Sequence, residues 1–257
     1  MVARQIPSPE RKARHVDSAT LLFLKGSTIL TLPAWLDLSA VAVGALSGAM
    51  VGTSRKLDLV GTVALAFLCG LGGGLIRDMI MQKDDVYMLN STNAVIVSVL
   101  TGVVVFLFPT LFERIPNALE WVDIVSVALF VVAGTNKAVV YELGAVQTIL
   151  MGVITGVGGG MLRDVFLGDV PKIFQPSNFY AVCALGGSVV YLALMVLCNV
   201  GNPWCAFVSV FVTVALRRAS LRYGIMSPGG VDLTPRVTEP VKRAVANHAQ
   251  KKVEKGR

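Results

Sequence analysis

One stretch is written twice in this chain of 257 residues: Gly70-Leu71-Gly72-Gly73-Gly74-Leu75-Ile76-Arg77-Asp78 and Gly156-Val157-Gly158-Gly159-Gly160-Met161-Leu162-Arg163-Asp164. Each copy lies inside a long apolar run, where successive glycines weaken a helix and an Arg-Asp pair is expensive to desolvate. Local stability does not explain either. Glycine lets a backbone bend or lets another group come close to it. Within a bilayer, freed backbone groups are tolerated only against protein or a water-filled cavity. The pattern predicts two broken helices whose polar ends face a wet seam. The competing reading is close helix packing, because Gly152, Gly156 and Gly160, and likewise Ala66, Gly70 and Gly74, form small-xxx-small ladders. Packing needs one small residue per turn and has no use for the adjacent charges. A dinucleotide-binding fingerprint is excluded by the spacing and by the absence of a preceding strand pattern.

The chain is 54% hydrophobic and 15% charged, with a mean hydropathy of +0.68, which points to an all-α polytopic integral membrane protein of a cell or organelle membrane. The net charge of +7 resides mainly in the termini and short loops, a placement that fits orientation and contact with anionic lipid rather than nucleic acid. Cys69, Cys183, Cys198 and Cys205 lack metal-ligand spacing, and His15 and His248 lie in polar arms. No metal or cofactor is implied, and no span carries a Ser-His, paired-Asp or His-metal constellation, so no catalytic residue is assigned.

In chain order, residues 1–33 form a polar, basic arm with a short apolar segment from Leu21 to Leu32, interrupted by Lys25. Spans follow at Leu36 to Ser54, Leu59 to Met81, Ala94 to Leu111, Val122 to Val140, Ala145 to Leu167, Phe179 to Cys198 and Val200 to Leu216. The organisation is therefore a first three-helix unit over 34–112, a second over 120–198, a seventh helix over 200–218, and a basic tail over 219–257 that reads as disordered.

The two units align without a gap: Trp35 and Trp121, Asp37 and Asp123, Gly48 and Gly134, Thr62 and Thr148, and Arg77 and Arg163 all stand 86 residues apart. This is an internal duplication. Three spans per unit put the second unit into the membrane from the opposite side, giving an inverted pair with its glycine runs near the midplane. With the N-terminus outside, Arg55, Lys56, Arg114, Lys172, Arg217, Arg218 and Arg222 fall inside.

Several side chains have two readings. Neighbours in a helix do not face each other, so Arg77 is expected to pair with Asp164 and Arg163 with Asp78, locking the units together; the alternative leaves both dipeptides at the water interface. Lys137, inside the fourth span, lines a pathway, holds an anionic lipid head group, or snorkels outward. Asn136, Thr62 and Thr148 offer oxygen ligands to a cation, although Thr also bonds its own helix backbone. Asp37 and Asp123 are helix N-caps or mouth charges, with capping favoured. Trp35 and Trp121 are interface anchors.

The duplicated Gly-x-Gly-Gly-Gly-x-x-Arg-Asp, the Trp-Leu-Asp and Trp-Val-Asp openings, Gly134-Thr135-Asn136-Lys137-Ala138 and Asp169-Val170-Pro171-Lys172 together resemble the prokaryotic-type trimeric intracellular cation channels, whose bacterial members are also described as glycine transporters. The resemblance spans roughly Trp35 to Tyr223. It implies a seven-helix protomer in a homotrimer, each protomer with its own hydrophilic pathway between the second and fifth helices. The pathway-forming breaks would be Gly72, Gly73 and Gly74 with Gly158, Gly159 and Gly160. The long arm and tail depart from that core. Two functions follow: a passive potassium-permeable channel built from weak oxygen ligands, or a secondary transporter whose half-helix ends hold the carboxylate and ammonium of glycine.

Overall fold

The structure is a computed structural model that describes residues 33–83, 86–114, 116–175, 179–198 and 201–224. The apolar segment from Leu21 to Leu32 and nearly all of the basic tail lie outside the described residues. The described residues form nine helices joined by turns, with no strand among them: α1 (Ala34–Ser54), α2 (Leu59–Met81), α3 (Tyr87–Asn90), α4 (Thr92–Leu107), α5 (Pro109–Glu113), α6 (Ala118–Val140), α7 (Ala145–Phe166), α8 (Tyr180–Leu197) and α9 (Asn202–Arg222).

Six of these, α1, α2, α6, α7, α8 and α9, run 18 to 23 residues and are apolar enough to cross a membrane. The protein is thus a multi-pass integral membrane protein. The apolar α4 is shorter, at 16 residues, because the chain turns at Phe108 and Pro109 opens α5. Local chemistry sets the other ends. The Asp58 side chain accepts from the Gly61 amide at 2.7 Å to start α2, Ser91 caps α4 through the Ala94 amide at 3.3 Å, and Pro203 sits in the first turn of α9. The last helix continues to Arg222, past the expected end at 218.

The two units pack alike. In the first, α1, α2 and α4 contact one another; in the second, α6, α7 and α8 do the same. The α2–α7 contact is the main crossing between them, and α1 also packs on α6. Large apolar side chains such as Leu100, Val146, Phe207 and Phe211 point outward, as do Trp35 and Trp121, an arrangement suited to lipid contact.

The expectation of broken helices is not met: α2 and α7 are continuous through both glycine runs. The glycines serve close approach instead. A Cβ on Gly73 would lie 2.4 Å from the Thr155 carbonyl oxygen, one on Gly159 2.5 Å from that of Cys69, and one on Gly158 3.1 Å from the Gly73 Cα. The helices cross backbone against backbone, and two successive glycines of each run, Gly72-Gly73 and Gly158-Gly159, face the partner as the axes cross, whereas Gly74 and Gly160 do not. Three glycines weaken each helix by about 3 kcal/mol relative to alanine, and the contact that only they permit opposes that loss. With no half-helix ends, ligand binding by such ends is removed from the account.

The crossing is directly testable. Gly73→Ala is expected to destabilise the protein by about 1–3 kcal/mol through overpacking, whereas Gly74→Ala, whose Cβ meets nothing nearer than an Arg77 nitrogen at 3.8 Å, is expected to be neutral or stabilising by up to about 1 kcal/mol. Thermal unfolding in detergent separates the two.

Candidate functional site

Each Arg-Asp dipeptide closes a helix of the crossing and gathers a buried cluster of charges. At the end of α2, the Arg77 Nε donates to Asp78 Oδ1 at 2.7 Å, the Lys137 ammonium from α6 donates to the same oxygen at 2.9 Å, and the Tyr87 amide donates to Asp78 Oδ2 at 2.9 Å. At the end of α7, the Arg163 Nε donates to Asp164 Oδ1 at 3.0 Å and the Lys172 amide to Asp164 Oδ2 at 3.2 Å. The Arg163 Nη1 reaches Asp123 Oδ1 at 3.2 Å and the Ser47 hydroxyl at 3.1 Å. The Lys172 ammonium binds Asp123 Oδ2 at 3.3 Å.

These bonds correct the expected charge pairing. Arg77 pairs with Asp78 and Arg163 with Asp164, within their own dipeptides, because a long guanidinium reaches back around the helix where shorter neighbouring side chains would not meet. The cross pairs are out of reach: the clusters hold Lys137 and Asp123 of the same helix, 14 residues apart and so about 21 Å along its axis. The interfacial reading fails as well, since Arg77, Asp78, Arg163 and Asp164 are all buried.

Capping is also corrected. Asp123 lies inside α6, whose N-cap is Asn117, and is buried in the second cluster. Asp37 lies in the first turn of α1, after the N-cap Pro33, and opens onto a cavity of about 230 Å³ lined also by Arg77, Tyr87, Asn136, Lys137 and Tyr141. A second, smaller cavity of about 20 Å³, room for one water, is also lined by Asp37 and Arg77 and reaches Gly70 and Gly74. Among the described residues Asp37 accepts no hydrogen bond and forms no ion pair, and Arg77 uses only its Nε.

The remaining candidates divide. Lys137 joins the cavity wall, its side chain 22% exposed and bound to Asp78. Asn136 also lines the cavity, but its amide donates to the Tyr191 hydroxyl at 2.8 Å and to Asn202 Oδ1 at 3.2 Å, tying α6 to α8 and α9. Thr62 and Thr148 are buried near the starts of α2 and α7; Thr148 bonds the Leu143 carbonyl at 3.2 Å, and neither reaches this cavity. Gly74 touches the cavity extension, Gly72, Gly73, Gly158 and Gly159 face the partner helix, and Gly160 lies beneath the Tyr180 hydroxyl. Sequence reasoning missed Ser47, Tyr87, Tyr191 and Asn202. Polar side chains at Ser47 and Tyr191 inside apolar runs were the available signal for two of them.

The glycine transporter family profile matches this chain twice, over residues 34–110 and 120–195. The chain belongs to that family. The two matched segments start 86 residues apart and end 85 apart, in line with the duplication and with one residue fewer in the second. The Escherichia coli K12 inner membrane protein YadS is 31% identical over 195 residues, which is 76% of this chain and 94% of that protein. A UPF0126 membrane protein of Vibrio cholerae is 32% identical over 220 residues, 84% of this chain and 87% of its own length. The solved trimeric intracellular cation channel orthologue from Rhodobacter sphaeroides superposes with a TM-score of 0.69 at 28% identity, over 76% of this chain and all of that one. Family and fold neighbours are membrane permeation proteins, not enzymes.

The buried cluster predicts a graded response to charge removal. Arg163→Met leaves Asp164 and Asp123 short of their shared cation and is expected to cost about 3–5 kcal/mol. Arg55→Gln breaks only the exposed Arg55–Asp169 pair and is expected to cost at most about 1 kcal/mol. Denaturation in mild detergent measures both.

Proposed function

We propose that this protein is a cation channel of the bacterial cell membrane, potassium-permeable and homotrimeric, with one pathway in each protomer running beside the α2–α7 crossing. The observation that carries the reading is the Asp37 carboxylate: it has no protein partner among the described residues and lines two cavities, one of about 230 Å³ and a smaller one of about 20 Å³ beside Gly70 and Gly74. An ionised group left unpaired at a wet mouth attracts cations and is stabilised by them. Lys137, Asn136 and the Gly72–Gly74 and Gly158–Gly160 runs flank that route, while Thr62 and Thr148 belong to its outer frame. The likeness to a solved trimeric intracellular cation channel supports both the activity and the trimer.

In this reading α4 is the third crossing, its 16 residues extended by the turn into α5, so that each unit of three crosses the bilayer an odd number of times and the second unit is inverted. The units correspond to residues 34–112 and 120–198, with the seventh crossing at 200–218. Trp35 and Trp121 anchor the units at the lipid boundary, and the basic loop residues meet anionic lipid head groups.

A second reading, transport of glycine, is favoured by one specific feature and by the family's description. Arg77 and Asp37 flank the same cavity with guanidinium nitrogens and a carboxylate uncommitted to each other, a disposition complementary to the two ends of a small zwitterion. Planar bilayers under a potassium gradient distinguish the readings. The channel predicts unitary potassium currents that fall several-fold in Asp37→Asn; saturable glycine uptake without unitary currents would establish the transporter.

A further inference from the structure

The duplication sets each buried arginine beside a counterpart 86 residues away. Arg77 and Arg163 both donate through Nε to the aspartate that follows them. Beyond that shared bond they differ. The Arg163 Nη1 also reaches Asp123 Oδ1 at 3.2 Å, whereas Asp37, the counterpart of Asp123, takes no bond from Arg77. Asp37 and Arg77 line one small cavity instead, of about 20 Å³, room for a single water.

The frame around the two arginines is the same. The end of α1 meets the turn after α7 through the exposed Arg55–Asp169 pair. The end of α6 meets the turn after α2 through the Lys83 ammonium, which donates to the Tyr141 carbonyl at 3.4 Å. Arg55 and Tyr141, like Lys83 and Asp169, stand 86 apart. So do Lys56 and Glu142, which follow the two helix ends with positive φ of 56° and 52°. Equivalent backbone therefore delivers equivalent arginines, and a side chain decides the wiring. The deciding pair is Ser47 and Ala133, again 86 apart. The Ser47 hydroxyl accepts from Arg163 Nη1 at 3.1 Å and donates to Asp123 Oδ1 at 3.3 Å, bridging guanidinium and carboxylate. Ala133 lines both cavities beside Asp37 and Arg77 and has no hydroxyl to offer. The other replacement, Lys137 for Val51, is committed to Asp78 and does not line the smaller cavity.

We infer that Arg77 is a latch for Asp37: its free Nη groups swing onto the carboxylate, as Arg163 does on Asp123, and a monovalent cation at Asp37 displaces them. The inference rests on the permeation reading above and names the regulation of that same site. Closure leaves the Nε bond to Asp78 intact, since both bonds coexist in the second unit, so the side chain shifts without unpacking a helix. With the guanidinium on it, Asp37 no longer presents a net charge to the larger cavity. An arriving cation competes with Arg77 for one carboxylate. Ala133 sets the balance, because the closed pair lacks the two bonds that a serine supplies and yields to a weakly held ion. The second unit, with Ser47 in place, shows the latch shut: Asp123 and Arg163 are 7% and 2% exposed.

The test reads the charge that Asp37 shows to the cavity. Val140→Cys, on the wall of the larger cavity, is placed in the full-length chain with the four native cysteines replaced by alanine and reconstituted in liposomes. The thiol is labelled with a cationic and with a neutral reagent, and the ratio of the two rates reports the local charge independently of steric access. Ala133→Ser should lower that ratio roughly fivefold and reduce potassium or glycine flux in parallel, the shift that one added hydrogen bond makes in a two-state equilibrium. Ala133→Gly, which adds no hydroxyl, should leave the ratio within about twofold, and so should Ala133→Ser in an Arg77→Lys background, where the planar fork that holds two carboxylates is gone. An unchanged ratio in Ala133→Ser overturns the latch, as does an equal fall in Ala133→Gly or in the Arg77→Lys background. Flux lost with the ratio unchanged also overturns it, marking position 133 as structural. A ratio that falls only with Arg77 present, while no variant carries flux, sustains the latch and rejects the permeation reading.

Discussion

The α2–α7 crossing is the constraint on which the remaining structure depends. Two backbones approach so closely at Gly73 and Gly159 that any side chain there would collide with the opposite main chain, with Gly158 in tight contact beside them. That contact fixes where the last turn of each helix emerges, and therefore where Arg77-Asp78 and Arg163-Asp164 are delivered. Because the dipeptides emerge beside opposite parts of α6, the bundle acquires two charged clusters instead of one. Hydrophobic attraction between helices is weak in lipid, so a packing contact of this kind is a principal source of association.

Each cluster is electrically balanced, which is the condition for keeping four ionised groups within a largely apolar protein. Balance does not dictate wiring. Asp78 is satisfied by Arg77, Lys137 and one backbone amide, and that arrangement leaves Asp37 over. Asp164 is satisfied by Arg163 and a backbone amide, which leaves Lys172 for Asp123.

Much of this is legible in the chain alone. The six long spans follow from their long apolar runs, and their ends agree with the helices to within about four residues, except that the last helix runs on from Leu216 to Arg222. The duplication is readable from landmark spacing and returns as a family profile that matches twice. The glycine runs mislead as to a break, because an interrupted helix and a tight crossing share one sequence signature, and only the partner helix decides between them. The ion pairs mislead because spacing rules describe short side chains, whereas Arg77 and Arg163 wrap around their own helix. Asp37 and Asp123 are indistinguishable by motif, and their different fates depend on which lysine arrives. Ser47 carries a faint signal and Asn202 none, since a small polar residue in or beside a span is as often solitary as networked.

The amide of Asn136 has a consequence for assembly. It is met by the Tyr191 hydroxyl of α8 and by Asn202 at the head of α9, and the chain delivers α6 to the membrane before either of them. Until those two helices dock, Asn136 faces hydrocarbon or stray water; once they do, three neutral dipoles answer one another. The final pair is thereby seated by rotation as well as depth, since a turn of either helix about its axis would leave an amide stranded in oil. The C-terminal helices are keyed into place and not merely added, and the key abuts the wall of the cavity that Lys137 lines.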